Sequence, residues 1–138
     1  MILPFLMESA VGKIGNWGEL QHAAGAADDV PEALAALTSA DAEAREEAST
    51  WLIETCLYDE NGDFHLHSSS LPVLAALAAF VDADAMDDAS EDLQADVADA
   101  LVDYTAWAHA PGNVSAEAHR AALRKLTAEW PWLGDAQR

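Results

Sequence analysis

The chain has 138 residues, 51% of them hydrophobic, with 25 Asp or Glu against six Lys or Arg and a formal net charge of −19. That length predicts one domain with enough chain for a real core. Such a charge repels free nucleic acid and anionic membrane, so direct binding to either is excluded as an expectation and a basic protein becomes the natural partner.

A single cysteine, Cys56, rules out an internal disulfide and fits a reducing compartment. Ile2–Met7 is apolar, but it is too short to span a bilayer and no basic residue precedes it. A cytoplasmic protein without a signal peptide is therefore expected.

In chain order, residues 1–29 are expected to cap one end of the core. Met1–Gly15 reads as a short apolar helix, with a membrane or partner anchor as its alternative. Asn16-Trp17-Gly18-Glu19 has capping-box spacing, which predicts a helix from Trp17 to about Ala24, ended by Gly25. His22 falls inside it and reads as a surface or half-buried structural histidine.

Residues 30–110 read as two helical hairpins. Asp29-Val30-Pro31-Glu32 starts a helix with Pro in its first turn and Leu34 and Leu37 in its stripe. After a turn at Ser39–Asp41, a longer helix is predicted to about Tyr58. Its inward side is Ala44, Ala48, Trp51, Leu52, Thr55 and Cys56; Glu43, Glu46, Glu47 and Glu54 point outward. Asp59–Asp63 is a polar turn. The next helix opens at Leu71-Pro72 with Ser70 as N-cap and lines its core face with Leu74, Leu77, Phe80 and Val81.

The stretch Asp82–Ala110 carries nine carboxylates and no Lys, Arg or His before His109. Placed on a helix at about 100° per residue, Glu91–Ala108 brings Leu93, Val97, Ala100, Leu101, Tyr104, Trp107 and Ala108 to one face. Asp92, Asp96, Asp99 and Asp103 form a narrow row beside it, and Ala95, Ala98, Val102 and Ala106 fill the remaining side. Like charges at this spacing oppose helix formation, so the row is a load that the helix does not need for its own stability.

Residues 111–138 hold a last helix capped near Ser115. His119, Arg120, Arg124 and Lys125 lie on it, and Trp130-Pro131-Trp132-Leu133 ends it and folds back on the core.

Two segments echo each other. Leu34-Ala35-Ala36-Leu37 recurs 40 residues later as Leu74-Ala75-Ala76-Leu77, each after a proline, and Ala48 and Leu52 match Val97 and Leu101 at an offset of 49. A period near 40 built from helix pairs predicts an all-α fold, a short α-solenoid of about six to seven helices. On Leu37, Asp41, Arg45, Ala48 and Leu52, residues 30–108 resemble the HEAT-repeat family. That resemblance implies a binding scaffold, with Asp41 and Arg45 helping to bind one repeat to the next. The second unit departs from the pattern, having Gln94 where the first has Arg45.

The offset of 49 also carries Asp92, Asp96 and Asp103 onto Glu43, Glu47 and Glu54. The expected partner-binding set is therefore Glu43, Glu47, Glu54, Asp88, Asp92, Asp96, Asp99 and Asp103, shared by one acidic groove on the second helices. His65 and His67, beside Asp59, Glu60 and Asp63, are a candidate metal site of generic spacing. No catalytic constellation or cofactor signature is expected, Cys56 reads as packing, and the tryptophans read as core. Two functions stay open. One is an inhibitor or immunity-type protein that neutralises a basic nuclease or toxin. The other is a HEAT-type adaptor whose acidity reflects a salt-adapted or GC-rich host.

Overall fold

A computed structural model describes residues 17–110 and 119–137. The described residues are mainly helical, with five α-helices and one two-stranded ribbon. The helices are α1 (Val30–Ala36), α2 (Ala42–Cys56), α3 (Ser70–Asp82), α4 (Asp88–His109) and α5 (Arg120–Glu129). The expected count of six to seven is not met among these residues. The first expected helix, Met1–Gly15, and the Ser115 cap lie outside them.

The second expected helix is corrected. Only Trp17–Glu19 winds, as a 3₁₀ turn, and the chain then forms strands β1 (Gln21–His22) and β2 (Gly25–Ala26), paired antiparallel. Three local facts defeat the helix. The Ala24 N–H donates to His22 Nδ1 at 3.0 Å, the Ala23 N–H donates to the Thr55 carbonyl at 3.0 Å, and Gly25 sits at φ 128°. The first two tie up amides that a helix would need for itself, and the third is open to glycine but strained for other residues.

Capping residues set the helix starts. Pro31 sits in the first turn of α1, where its missing N–H costs nothing. Asp41 caps α2 by accepting from the Glu43 N–H, and Asp87 caps α4 by accepting from the Ser90 N–H at 2.7 Å. Ser70 is not the N-cap of α3 but lies inside its first turn. Its hydroxyl accepts from the His67 N–H and donates to the Cys56 carbonyl, pinning α3 to the end of α2.

Helix α3 is buried on nearly every side, through Val73, Leu74, Ala76, Leu77, Ala78, Ala79 and Phe80. An all-round apolar helix belongs in the middle of a fold. Around it, α1 packs on α2, α3 on α4, and α2 against both α3 and α4. The C-terminal 3₁₀ segment Pro131–Gln137 lies along α4, with Leu133 buried and the Trp132 indole N–H donating to Asp82 at 3.1 Å. The tail thus folds back as expected. Burial lowers the pKa of His109 at the end of α4, and the charges of Arg120 and Arg124 lower it further.

Arg45 joins the two hairpins. Its side chain is 1% exposed, and its Nη2 donates to both carboxylate oxygens of Asp87, at 2.8 and 2.9 Å. Its Nη1 donates to the Ser39 carbonyl at 2.7 Å. Asp41, expected to act with it, serves instead as the cap of α2. The Arg45–Asp87 pair sets the start of α2 beside the start of α4. At the far end, His65 gives its N–H to Leu57 and accepts the Tyr104 hydroxyl at 2.8 Å, bridging the end of α2 to the last part of α4. The two helices therefore run parallel.

Gln94, which stands where Arg45 stands in the first unit, does a different job. Its amide N–H groups donate to the Phe80 and Ala83 carbonyls, both at 2.9 Å, closing the C-terminal end of α3. Replacing Gln94 by Met keeps the length but takes a donor from both carbonyls, leaving that of Phe80 only the Ala83 N–H at 3.3 Å. It should destabilise the protein by about 1–3 kcal/mol in urea melts.

The Ser90 N–H and then the Arg45 guanidinium hold the Asp87 carboxyl below its ordinary pKa. A carboxylate lowered on folding contributes stability above its unfolded pKa, about 3.9, and loses it as pH falls through the folded value. Asp87→Asn should therefore lower the melting temperature clearly at pH 7. The gap from wild type should start to close below about pH 4 and vanish at lower pH, as the native Asp87 itself protonates.

Candidate functional site

Glu43, Glu47 and Glu54 are all exposed, as are Asp88, Asp92, Asp96, Asp99 and Asp103. On α2 the buried stripe is Arg45, Ala48, Ser49, Leu52 and Cys56. At about 100° per residue, the three glutamates lie half a turn away from it. On α4 the buried stripe is Ser90, Gln94, Val97, Leu101, Tyr104, Thr105 and Ala108, and the aspartates again lie on the opposite side. The α4 stripe is rotated from the expected one: Leu93, Ala100 and Trp107 sit at its margin, while Gln94 and Thr105 are inside.

Little among the described residues neutralises these rows. Among the described residues Arg45–Asp87 is an ion pair and His22 hydrogen-bonds Asp29, and neither contact uses a member of the expected set. Arg124 and Lys125 are exposed on α5 and make no ion pair with the α4 row.

The glutamates of α2 border two adjoining hollows. One, of about 570 Å³, lies between α1 and α2 and is lined by Asp29, Glu32, Ala33, Ala36, Ala44, Glu47, Ala48 and Trp51. The other is lined by Glu43, Glu46, Glu47, Thr50, Trp51 and Glu54. The α4 aspartates line neither of them. Trp51, expected in the core, is half-buried and forms a wall common to both. Its neighbours Glu47 and Glu54, four residues before and three after, carried that signal in the sequence.

The candidate metal residues have other partners. His67 Nε2 lies 2.9 Å from the Tyr58 carbonyl, and the His65 and His67 rings meet at a tilt of 58° with centroids 4.5 Å apart. Asp59 turns its carboxylate to the Asn61 and Asp63 N–H groups. The Asp63 bond, then the Asn61 bond, lowers its pKa, with smaller help from His65 and His67. Among the described residues no group of three or more His, Cys, Asp or Glu is placed to hold a metal ion.

His22 differs from its expected setting, being buried in the β-ribbon. Because its Nδ1 accepts from Ala24, its Nε2 carries the proton and donates to Asp29 at 2.8 Å. Its ring meets Trp51 edge to face, with centroids 5.6 Å apart. Cys56 is buried as expected. Desolvation pushes its thiol up to about 11, so it stays protonated at neutral pH and is a poor nucleophile there.

No helix among the described residues is long and apolar enough to cross a membrane. Comparison of the chain with family models, curated proteins and solved structures finds no match.

The row on α4 should weaken the helix that bears it. The triple variant Asp96→Asn, Asp99→Asn, Asp103→Asn removes three like-charge contacts at helical spacing. It should gain roughly a few tenths of a kcal/mol per contact in low-salt urea melts, and 1 M salt should erase most of the gain.

Proposed function

We propose that the exposed carboxylates of α2 and α4 form one acidic face that binds a basic protein, and that the chain acts as an inhibitor or immunity-type protein. One observation carries this reading. Parallel neighbouring helices, tied at both ends, each turn a row of carboxylates away from the core, and no Lys or Arg among the described residues pairs with either row. Glu43, Glu47 and Glu54 supply one row, with Asp88, Asp92, Asp96, Asp99 and Asp103 the other. Against a nuclease or a nucleic-acid-binding toxin, these groups would stand in for phosphates and steer fast association.

A short HEAT-like solenoid is the architecture that suits this role. It is supported by successive helical hairpins with an arginine joining one to the next. The runner-up is an adaptor of the same architecture in a larger assembly, with the charge set by the host's composition. The near-even acidity of the surface before residue 113 favours that second reading.

Affinity capture from the native host separates the two. The inhibitor reading expects one basic protein retained at ~0.15 M salt, with an association rate that falls steeply as salt rises. Reversing Asp92, Asp96, Asp99 and Asp103 to Lys should abolish retention. Recovery of only miscellaneous basic proteins, all released by ~0.15 M salt, would reject the inhibitor reading.

A further inference from the structure

Trp51 stands out from the rest of the acidic face. It is half-buried, and it walls both hollows beside α2. The floor of the larger one is apolar, made by Ala33, Ala36, Ala44 and Ala48, and its rim carries Asp29, Glu32 and Glu47. The edge-to-face contact with His22 fixes the indole from the side, and His22 is itself buried and held by Asp29 and Ala24. A rigid aromatic wall therefore lies between carboxylates that have no Lys or Arg partner among the described residues, Asp29 being hydrogen-bonded to His22.

We propose that the hollow between α1 and α2 is an arginine pocket, in which one Arg side chain of a basic protein partner lies against the Trp51 indole and donates to Glu32 and Glu47. Charge complementarity selects the occupant. A neutral apolar side chain would fill the alanine floor but leave the rim carboxylates desolvated and unpaired. A guanidinium is planar, stacks on an aromatic face and still donates in its plane to carboxylates, whereas an ammonium is a compact, strongly hydrated charge. The arginine stem covers the alanines while the head meets the rim. This inference rests on the basic-partner reading and names its anchor. It places the specific contact on α1 and α2, leaving the α4 row to steer approach.

The test uses amidated tetrapeptides of arginine, lysine and citrulline, titrated into the full chain at ~0.15 M salt and followed by nuclear magnetic resonance at the Trp51 indole N–H. The arginine peptide should shift that resonance and bind about fivefold tighter than the lysine peptide, and the uncharged citrulline peptide should not bind. Trp51→Leu should lower arginine-peptide affinity about tenfold and abolish the preference over lysine. Glu32→Arg, at an exposed position that leaves the core intact, should block the pocket with its own guanidinium.

Equal binding of arginine and citrulline peptides overturns the proposal, as does affinity unchanged by both variants. If binding survives both variants but is lost when Asp96, Asp99 and Asp103 become Asn, the arginine pocket falls and the acidic-face reading stands. If neither cationic peptides nor basic proteins bind at all, both fall.

Discussion

Arg45 carries a full charge almost wholly out of water, and the two hairpins meet around it. Isolated burial of a guanidinium would be prohibitive, so the surrounding chain has to supply acceptors. Asp87 supplies two oxygens and the Ser39 carbonyl a third. Asp87 is also the N-cap of α4, so one carboxylate both caps a helix end and pairs with a buried cation. Hydrophobic residues of similar volume could hold the helices together as firmly. They would not fix the register of α4 on α2, because apolar contacts tolerate sliding and a hydrogen-bonded charge does not.

That register matters for the surface. With the helix starts paired through Arg45 and the far ends bridged through His65 and Tyr104, the outward sides of α2 and α4 are held in a fixed relation. The core beneath them is conventional: alanine-rich, close-packed and centred on α3. Charge repulsion along the α4 row opposes this arrangement, and the burial of Leu101, Val97 and Tyr104 offsets it. Stability and surface chemistry thus sit on opposite sides of the same helix.

Sequence legibility followed the physics of each element. Helices α1 to α4 were readable because Pro31, Asp41, Pro72 and the Ala110 boundary punctuate apolar periodicity, and local signals of that kind survive folding. The ribbon at Gln21–Ala26 was not readable, because it depends on a ring nitrogen accepting from Ala24 and on a carbonyl 32 positions away at Thr55. The α4 stripe was misplaced for a related reason. Gln94 and Thr105 are polar by any scale, yet each is buried with its hydrogen bonds met, by the Phe80 and Ala83 carbonyls and by the Leu101 carbonyl. Hydropathy cannot see partners. The same blindness hid Trp51, whose size argued for the core while its flanking glutamates argued for the surface. The exposure of the carboxylates was legible throughout, since an unpaired charge has nowhere else to go.

The central position of α3 has a consequence for how the molecule opens. Its start is pinned to α2 through Ser70 and Cys56, and its end is closed by Gln94 of α4. The hairpins therefore cannot separate without stripping the Cys56 carbonyl from Ser70, at the start of a helix that is buried on nearly every side. Fraying of the kind that lets long repeat arrays lose one unit at a time is suppressed here. The slowest-exchanging amides should be those of α3, and they should trade protons with solvent only when the entire chain comes apart.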